Sequence, residues 1–149
     1  MNIRYANLYD APTIAKNNVM LAKETENLTL NQGKAVLGTQ EVFDKEKNRG
    51  FYLVMEEHKD IIGQMLITYE WSDWRNQEIW WVHRVYVVKK YRNKGVFTQM
   101  MQKLSDLAQQ KQVYAIRLYV HENNTLAHTI YSANGFSEAP FIIYQNLLE

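Results

Sequence analysis

The spacing of apolar and polar residues changes period several times along this chain. Residues 3–7 read as a short strand, and Asp10 stands as N-cap, with Pro12 in the first turn, of a helix running to about Glu24. Asn31 is placed to cap a second helix carrying Val36, Leu37, Val42 and Phe43, closed by Arg49 and Gly50. Residues 51–57 and 61–71 are rich in strand formers, and His58, Lys59 and Asp60 form the turn of the hairpin they predict. Gly63 marks a bulge in its second arm. After a polar loop over 72–77, residues 78–88 form a long strand, with Ile79, Trp81, His83, Val85 and Val87 assigned to one face. Both faces of that strand are largely apolar, which predicts a central position with cover on each side.

From Gly95 to Lys111 the period becomes helical: Phe97, Met100, Met101, Leu104, Leu107 and Ala108 make one stripe. A strand over 114–121, a helix over 124–134 stopped by Gly135, and a closing apolar strand within 141–148 complete the reading. An early hairpin and a late strand–helix–strand unit predict an α/β fold of the α+β kind. Its central sheet is mixed, mostly antiparallel and flanked by helices. No repeat or Pro/Gly/Ser-rich linker interrupts the sequence, so one domain over residues 1–149 is the simplest organisation.

Composition narrows the function more than the fold. The 149 residues include 17 Lys and Arg against 16 Asp and Glu, a net charge of +1 that argues against a nucleic-acid partner. There is no cysteine, which excludes disulfides, thiolate metal sites and a thiol nucleophile. His58, His83, His121 and His128 are scattered, so no metal site is expected. The N-terminal residues lack a basic-then-apolar signal pattern and no apolar run reaches membrane-spanning length; a cytoplasmic protein without a membrane partner is expected.

The one local excess of positive charge, Lys89, Lys90, Arg92 and Lys94, sits where the central strand ends and a helix begins at Gly95. The first turn of a helix presents backbone N–H groups and the positive end of the dipole, and a glycine there lets the chain bend tightly beside a bulky anion. The pattern suits a pyrophosphate. It is neither a Walker loop nor a dinucleotide fingerprint, since no Gly-Lys-Ser/Thr and no G-x-G-x-x-G is present. A second segment, Asn124 to Phe136, spaces Asn124, Ala127 and Tyr131 by three and four, placing them on one helix face. Taken alone, Tyr131 is better read as a half-buried residue of an amphipathic helix that ends on a glycine cap.

Together the two segments resemble the GNAT acetyltransferase superfamily. Arg92, Gly95 and the helix start match its motif A, Arg/Gln-x-x-Gly-x-Gly/Ala, with Phe97 standing where a small residue is usual. The Asn124–Phe136 segment matches its motif B, N-x-x-A-x-x-L-Y-x-x-x-G-F, with Ile130 in the leucine position. The stretch from Glu70 to Asn76, with Trp80, Trp81 and the Gly95-Val96-Phe97 run, is similar to a bacterial branch in which a phenylalanine after the glycine is ordinary.

The resemblance implies the acyl-CoA N-acyltransferase fold, acetyl-CoA as donor without a metal, and direct transfer to a primary amine of a small molecule or peptide. It places Val85, Tyr86 and Val87 along the pantetheine arm, and Arg92, Asn93, Lys94, Gly95, Val96, Phe97 and Thr98 around the pyrophosphate. Asn124 and Tyr131 come from motif B, with Tyr131 as the general acid for the departing thiolate. The two positions where relatives carry a glutamate base hold Trp81 and Tyr119. His83, which titrates in a useful range, is the candidate base, and a buried hydrogen-bonded histidine is an equal reading. Glu26, Glu70, Trp71, Asp73 and Trp81 are candidates for the acceptor side, with Glu24 beside Glu26, and the tryptophans suggest a cation–π pocket. A homodimer is also expected from the resemblance, with residues 142–148 as a contact. The competing reading is an acyl-CoA-binding module without chemistry, separated from an enzyme by turnover.

Overall fold

The computed structural model describes residues 1–149 and divides them into two units, residues 1–119 and 120–149. The first unit is a five-stranded sheet in the order β1-β2-β3-β4-β5. Its strands are β1 (Asn2–Tyr5), β2 (Gly50–Glu57), β3 (Asp60–Ser72), β4 (Gln77–Val87) and β5 (Ala115–Leu118). Every pairing is antiparallel except the last, β4 with β5, which is parallel. Helices α1 (Ala11–Glu26), α2 (Gln32–Glu41) and α3 (Val96–Gln110) flank it. The mixed, mostly antiparallel sheet expected from the sequence is the one observed.

Local chemistry sets the element ends. Asp10 is the residue before α1, but its carboxylate makes no cap bond there; it accepts from the Arg4 guanidinium at 2.8 Å and from the Asn7 N–H at 2.8 Å. That arrangement holds the Asp10 carboxyl below its ordinary pKa, chiefly through the Arg4 hydrogen bond. Asn27, at φ 50°, ends α1. Asn31 does cap α2, accepting from the Lys34 N–H at 2.9 Å, yet the helix stops at Glu41, and Val42 and Phe43 belong to the turns that follow.

The two faces of the sheet have different covers. On one, Ile14 of α1 packs with Tyr52, Val54 and Leu66. A buried amide chain reinforces it: Asn17 Nδ2 donates to Gln64 Oε1 at 3.0 Å, and Gln64 Nε2 donates to Asn18 Oδ1 at 2.9 Å. On the other face α3 lies against Gly63, where an added Cβ would meet Val96 Cγ1 at 2.9 Å and Met100 Sδ at 3.0 Å. The bulge expected at Gly63 is found beside it: Met55 faces Gly63 while Glu56 faces Ile61, leaving Ile62 as the extra residue.

The second unit contains α4 (Thr125–Ala133), and residues 134–149 carry neither helix nor strand. The closing strand expected within 141–148 is therefore absent. Its residues have the composition of a strand, but a strand exists only where a neighbour takes up its backbone groups. No helix of the chain is long and apolar enough to cross a membrane.

Candidate functional site

The site region begins with an irregularity in β4. Leu66 of β3 faces His83 and Gln64 faces Tyr86, so β4 spends three residues where β3 spends two. Arg84 absorbs the extra residue at φ 55°, in the left-handed region that few arginines occupy. The consequence is a change of phase. Trp81 and His83 share the α1 face with Thr68 and Leu66, whereas Val87 faces Gly63 on the α3 side. The single face assigned to Ile79, Trp81, His83, Val85 and Val87 is thus corrected: the bulge separates Val87 from His83 and brings Tyr86 to the α1 side, opposite Gln64.

Beyond the bulge, β4 loses its other neighbour. β5 pairs with β4 only from Ile79 to Val82, opposite Ala115 to Leu118. From His83 to Val87 the strand keeps β3 on one side and has no strand on the other. Backbone groups along that edge stand ready for an extended ligand to pair as an added strand.

The chain then enters the basic loop. Lys89–Tyr91 form one short 3-10 turn, Asn93 has φ 61°, and Gly95 has φ 79° immediately ahead of α3. A Cβ on Gly95 would meet nothing closer than Gln99 Nε2 at 3.8 Å, so the glycine serves the backbone conformation rather than space. The first bond inside α3 runs from the Gln99 N–H to the Gly95 carbonyl at 3.0 Å, and the amides of a helix's first turn find no acceptor one turn earlier within the helix itself. Val96 is buried, while Phe97, the first residue of the apolar stripe read from the sequence, is only half-buried. Lys89, Lys90, Asn93, Lys94 and Thr98 are exposed.

Arg92 is the most constrained cation of the loop. Its Nε donates to the Val87 carbonyl at 2.8 Å, its NH2 group donates to Glu24 at 2.8 Å, and its guanidinium lies 5.3 Å from the Tyr86 ring centre. Burial, then Glu24, raise the Tyr86 phenol above its ordinary pKa.

A polar-aromatic cluster lies on the α1 face where β4 and β5 part. His83 Nε2 and Thr68 Oγ1 are 2.8 Å apart, a hydrogen bond whose direction follows the tautomer. Burial, with the Arg84 charge second, lowers the His83 pKa and favours the neutral ring. Trp81 Nε1 donates to Glu70 at 3.0 Å, and Glu70 is also 3.8 Å from Arg117. Tyr119 stacks on Trp81 at 4.5 Å between ring centres and lies 6.0 Å from the His83 ring.

Glu70, Trp81 and His83, chosen from the sequence, are therefore brought together. Thr68 and Arg117 join them unforeseen, because cross-strand register alone places them there. Other candidates stand apart. Trp71 faces Glu78 on the opposite side of the sheet and borders an open cleft with Gln77, Lys111 and Gln112; Trp80 is buried; Trp74 is exposed. The tryptophans do not form one cation–π pocket, and above Trp81 the cation is the chain's own Arg117, 5.9 Å from the ring. Asp73 sits in the hairpin loop, accepting from the Trp74 N–H, and Glu26 is exposed at the end of α1.

In the second unit Asn124 caps α4, its side-chain oxygen accepting from the Ala127 N–H at 3.2 Å. Tyr131 packs edge-on against Phe136 with ring centres 6.0 Å apart, and burial raises its phenol above the ordinary value.

Comparison with known proteins gives this arrangement a context. The Acetyltransferase (GNAT) family model matches residues 21–136. The structure is similar to a possible acetyltransferase from Clostridium difficile 630, with 34% identity, 99% of this chain and 97% of that one covered, and a TM-score of 0.93. It also resembles a predicted acetyltransferase with acetyl-CoA from Clostridium acetobutylicum, at 19% identity, 99% and 96% coverage and a TM-score of 0.80. A ribosomal-protein-alanine N-acetyltransferase from Brucella melitensis biovar Abortus 2308 matches at 14% identity, 99% coverage of each chain and a TM-score of 0.80. No functionally curated protein matches the sequence.

Proposed function

We propose that this chain, which belongs to the GNAT acetyltransferase family, transfers the acetyl group of acetyl-CoA directly to a primary amine of a small molecule or peptide. The observation that carries this reading is the open edge of β4 beyond Val82, made by the Arg84 bulge and continued by the Gly95 helix start. The edge suits the amides of a pantetheine arm, and the helix start with its lysines suits a pyrophosphate. The residues present thus fit the donor.

On the acceptor side, the amine lone pair attacks the thioester carbonyl carbon, forming the C–N bond and moving the carbonyl π pair onto oxygen. An N–H of the β4 edge supports that oxygen. The tetrahedral species collapses with C–S cleavage, and the pair left on sulfur takes a proton from Tyr131. A phenol at ~10 donating to a thiolate whose thiol has a pKa of ~8.5 is uphill by roughly 2 kcal/mol, and burial of Tyr131 adds to this, so proton transfer accompanies bond cleavage.

His83 takes the proton lost by nitrogen. A free ammonium at ~10 giving its proton to an unshifted imidazole at ~6.5 would already face about 5 kcal/mol, and the lowered pKa of His83 adds to that cost. The amine therefore reacts as the neutral base, and His83 accepts the proton once the C–N bond has made that nitrogen acidic. Much of the acceleration comes from holding amine and thioester in reacting geometry.

Initial rates measured while varying acetyl-CoA and an amine from a panel of polyamines, amino acids, aminoglycosides and peptide N-termini test the proposal. Intersecting reciprocal lines support direct transfer through a ternary complex. Parallel lines with an isolable acetyl-enzyme would sink it.

A further inference from the structure

The bulge of β4 is made by a residue ill suited to it. Arg84 holds φ 55°, a conformation that glycine or asparagine adopts at less cost. The backbone alone gives no reason for an arginine there, so the side chain is what the position keeps. In a regular strand Arg84 would point away from the face that holds His83. Past the bulge its charge reaches that face. Burial and then the Arg84 charge lower the His83 pKa; burial raises the Tyr52 phenol, against which act hydrogen bonds with Asn18 and Thr39 and then the Arg84 charge. Tyr52 packs with Ile14 and Val54 on the α1 face, where His83 also lies. Within residues 1–119 the Arg84 side chain itself makes neither a hydrogen bond nor an ion pair.

The carboxylates of that face are already engaged. Glu70 accepts from the Trp81 indole at 3.0 Å with one oxygen, and its other oxygen lies 3.8 Å from Arg117. Glu24 is paired with Arg92 at 2.8 Å. Around a neutral His83, two guanidinium groups thus meet one carboxylate, and Arg84 is the cation in excess. We propose that Arg84 selects the acceptor: the amine that reacts belongs to a molecule that also carries an oxyanion, a carboxylate or a phosphate, a few bonds from the nitrogen. A guanidinium holds either group through two parallel N–H bonds. Because Arg84 follows His83 in the chain, the oxyanion sits beside the nitrogen that His83 serves. A polyamine or other purely cationic acceptor meets repulsion at the same place. The assignment deepens the acetyltransferase reading and rests on it.

Acceptors matched except for the oxyanion test it: L-leucine against L-leucinamide, β-alanine against β-alaninamide, and O-phosphoethanolamine against ethanolamine. Followed as CoA thiol release, kcat/KM is expected to favour the oxyanion member about ten-fold or more, and the third pair separates phosphate from carboxylate. Asparagine accepts the left-handed turn, so Arg84→Asn is expected to keep or raise the melting temperature. It is also expected to bring the members of a pair within about two-fold, with the loss carried by KM, while Arg84→Lys keeps part of the preference. Preference for the member without the oxyanion, no preference in any pair, or a preference that survives Arg84→Asn would each overturn the assignment and leave acetyl transfer standing. If no acceptor releases thiol, the acetyltransferase reading falls. Calorimetric titration of L-leucine and O-phosphoethanolamine into the CoA-saturated protein then decides Arg84. Binding that is lost in Arg84→Asn supports an oxyanion site there; no binding, or binding that survives the substitution, overturns it.

Discussion

The Arg92 guanidinium and the Glu24 carboxylate stand 2.8 Å apart, joining the basic loop to the last turn of α1. The cation that the motif offers to a pyrophosphate is thus already paired. Both side chains are over a third exposed, so the pair is worth at most about 1 kcal/mol. Glu24→Gln is expected to tighten acetyl-CoA binding about two- to five-fold by removing the competitor. Arg92→Ala is expected to weaken it roughly ten-fold or more, and Arg92→Lys restores little, since an ammonium cannot hold Val87 and a phosphate in one fork. Calorimetric titration of each variant with acetyl-CoA measures both effects.

His83 provides a pH signature. Burial disfavours its imidazolium, so its folded pKa lies below 6.5 and the ring is neutral above that. The acid limb of kcat/KM is expected to have its midpoint below pH 6.5, and His83→Gln is expected to lower kcat/KM about 10²-fold and remove that limb. The same shift acts on stability: the unfolded chain binds the proton at about 6.5 and the folded one only at lower pH. Stability held by the neutral ring is therefore lost as pH falls through that window. An acid limb unchanged in His83→Gln would show that another group accepts the proton.

Thr68 holds the His83 ring in place through the hydrogen bond between Oγ1 and Nε2. In Thr68→Val, kcat is expected to fall several-fold and the acid limb to move, while the affinity for acetyl-CoA stays as it was; Thr68→Ser restores the original profile. A fall in thermal stability with an unmoved pH profile would reduce Thr68 to a packing role.

Tyr131→Phe removes one hydroxyl and keeps the ring packed on Phe136. Loss of a general acid is expected to lower kcat about 10²-fold with little change in acetyl-CoA affinity. Full activity in this variant removes Tyr131 from the mechanism.

The amide chain from Asn17 through Gln64 to Asn18 offers a test of the scaffold. Gln64 is fully buried, and Gln64→Leu would leave a donor of Asn17 and an acceptor of Asn18 without their partner. A cost of about 2–4 kcal/mol is expected, read as a lower urea midpoint with an unchanged slope.

How far the sequence reveals this protein depends on the range of the interactions. The β2–β3 hairpin and α3 are legible because period 2 and period 3.6 are written locally, and Gly95 announces its own left-handed turn. The Arg84 bulge is not legible, since an arginine at φ 55° carries none of the glycine or asparagine signal by which such residues are usually recognised. One residue of slip then misassigns the face of Val87. Thr68 and Arg117 escape notice because their place beside Trp81 is set by two separate strand registers. The 141–148 segment shows the converse: its composition specifies a strand, and composition does not supply the neighbour.

The most direct test of the central claim follows free CoA thiol with a thiol reagent, a measurement the cysteine-free protein does not contaminate. With acetyl-CoA and the panel of primary amines, thiol release is expected to require an amine and to match, mole for mole, the N-acetylated product seen by mass spectrometry. Saturable acetyl-CoA binding with no amine-dependent thiol release across the panel would contradict the account and leave a CoA-binding module in place of an enzyme.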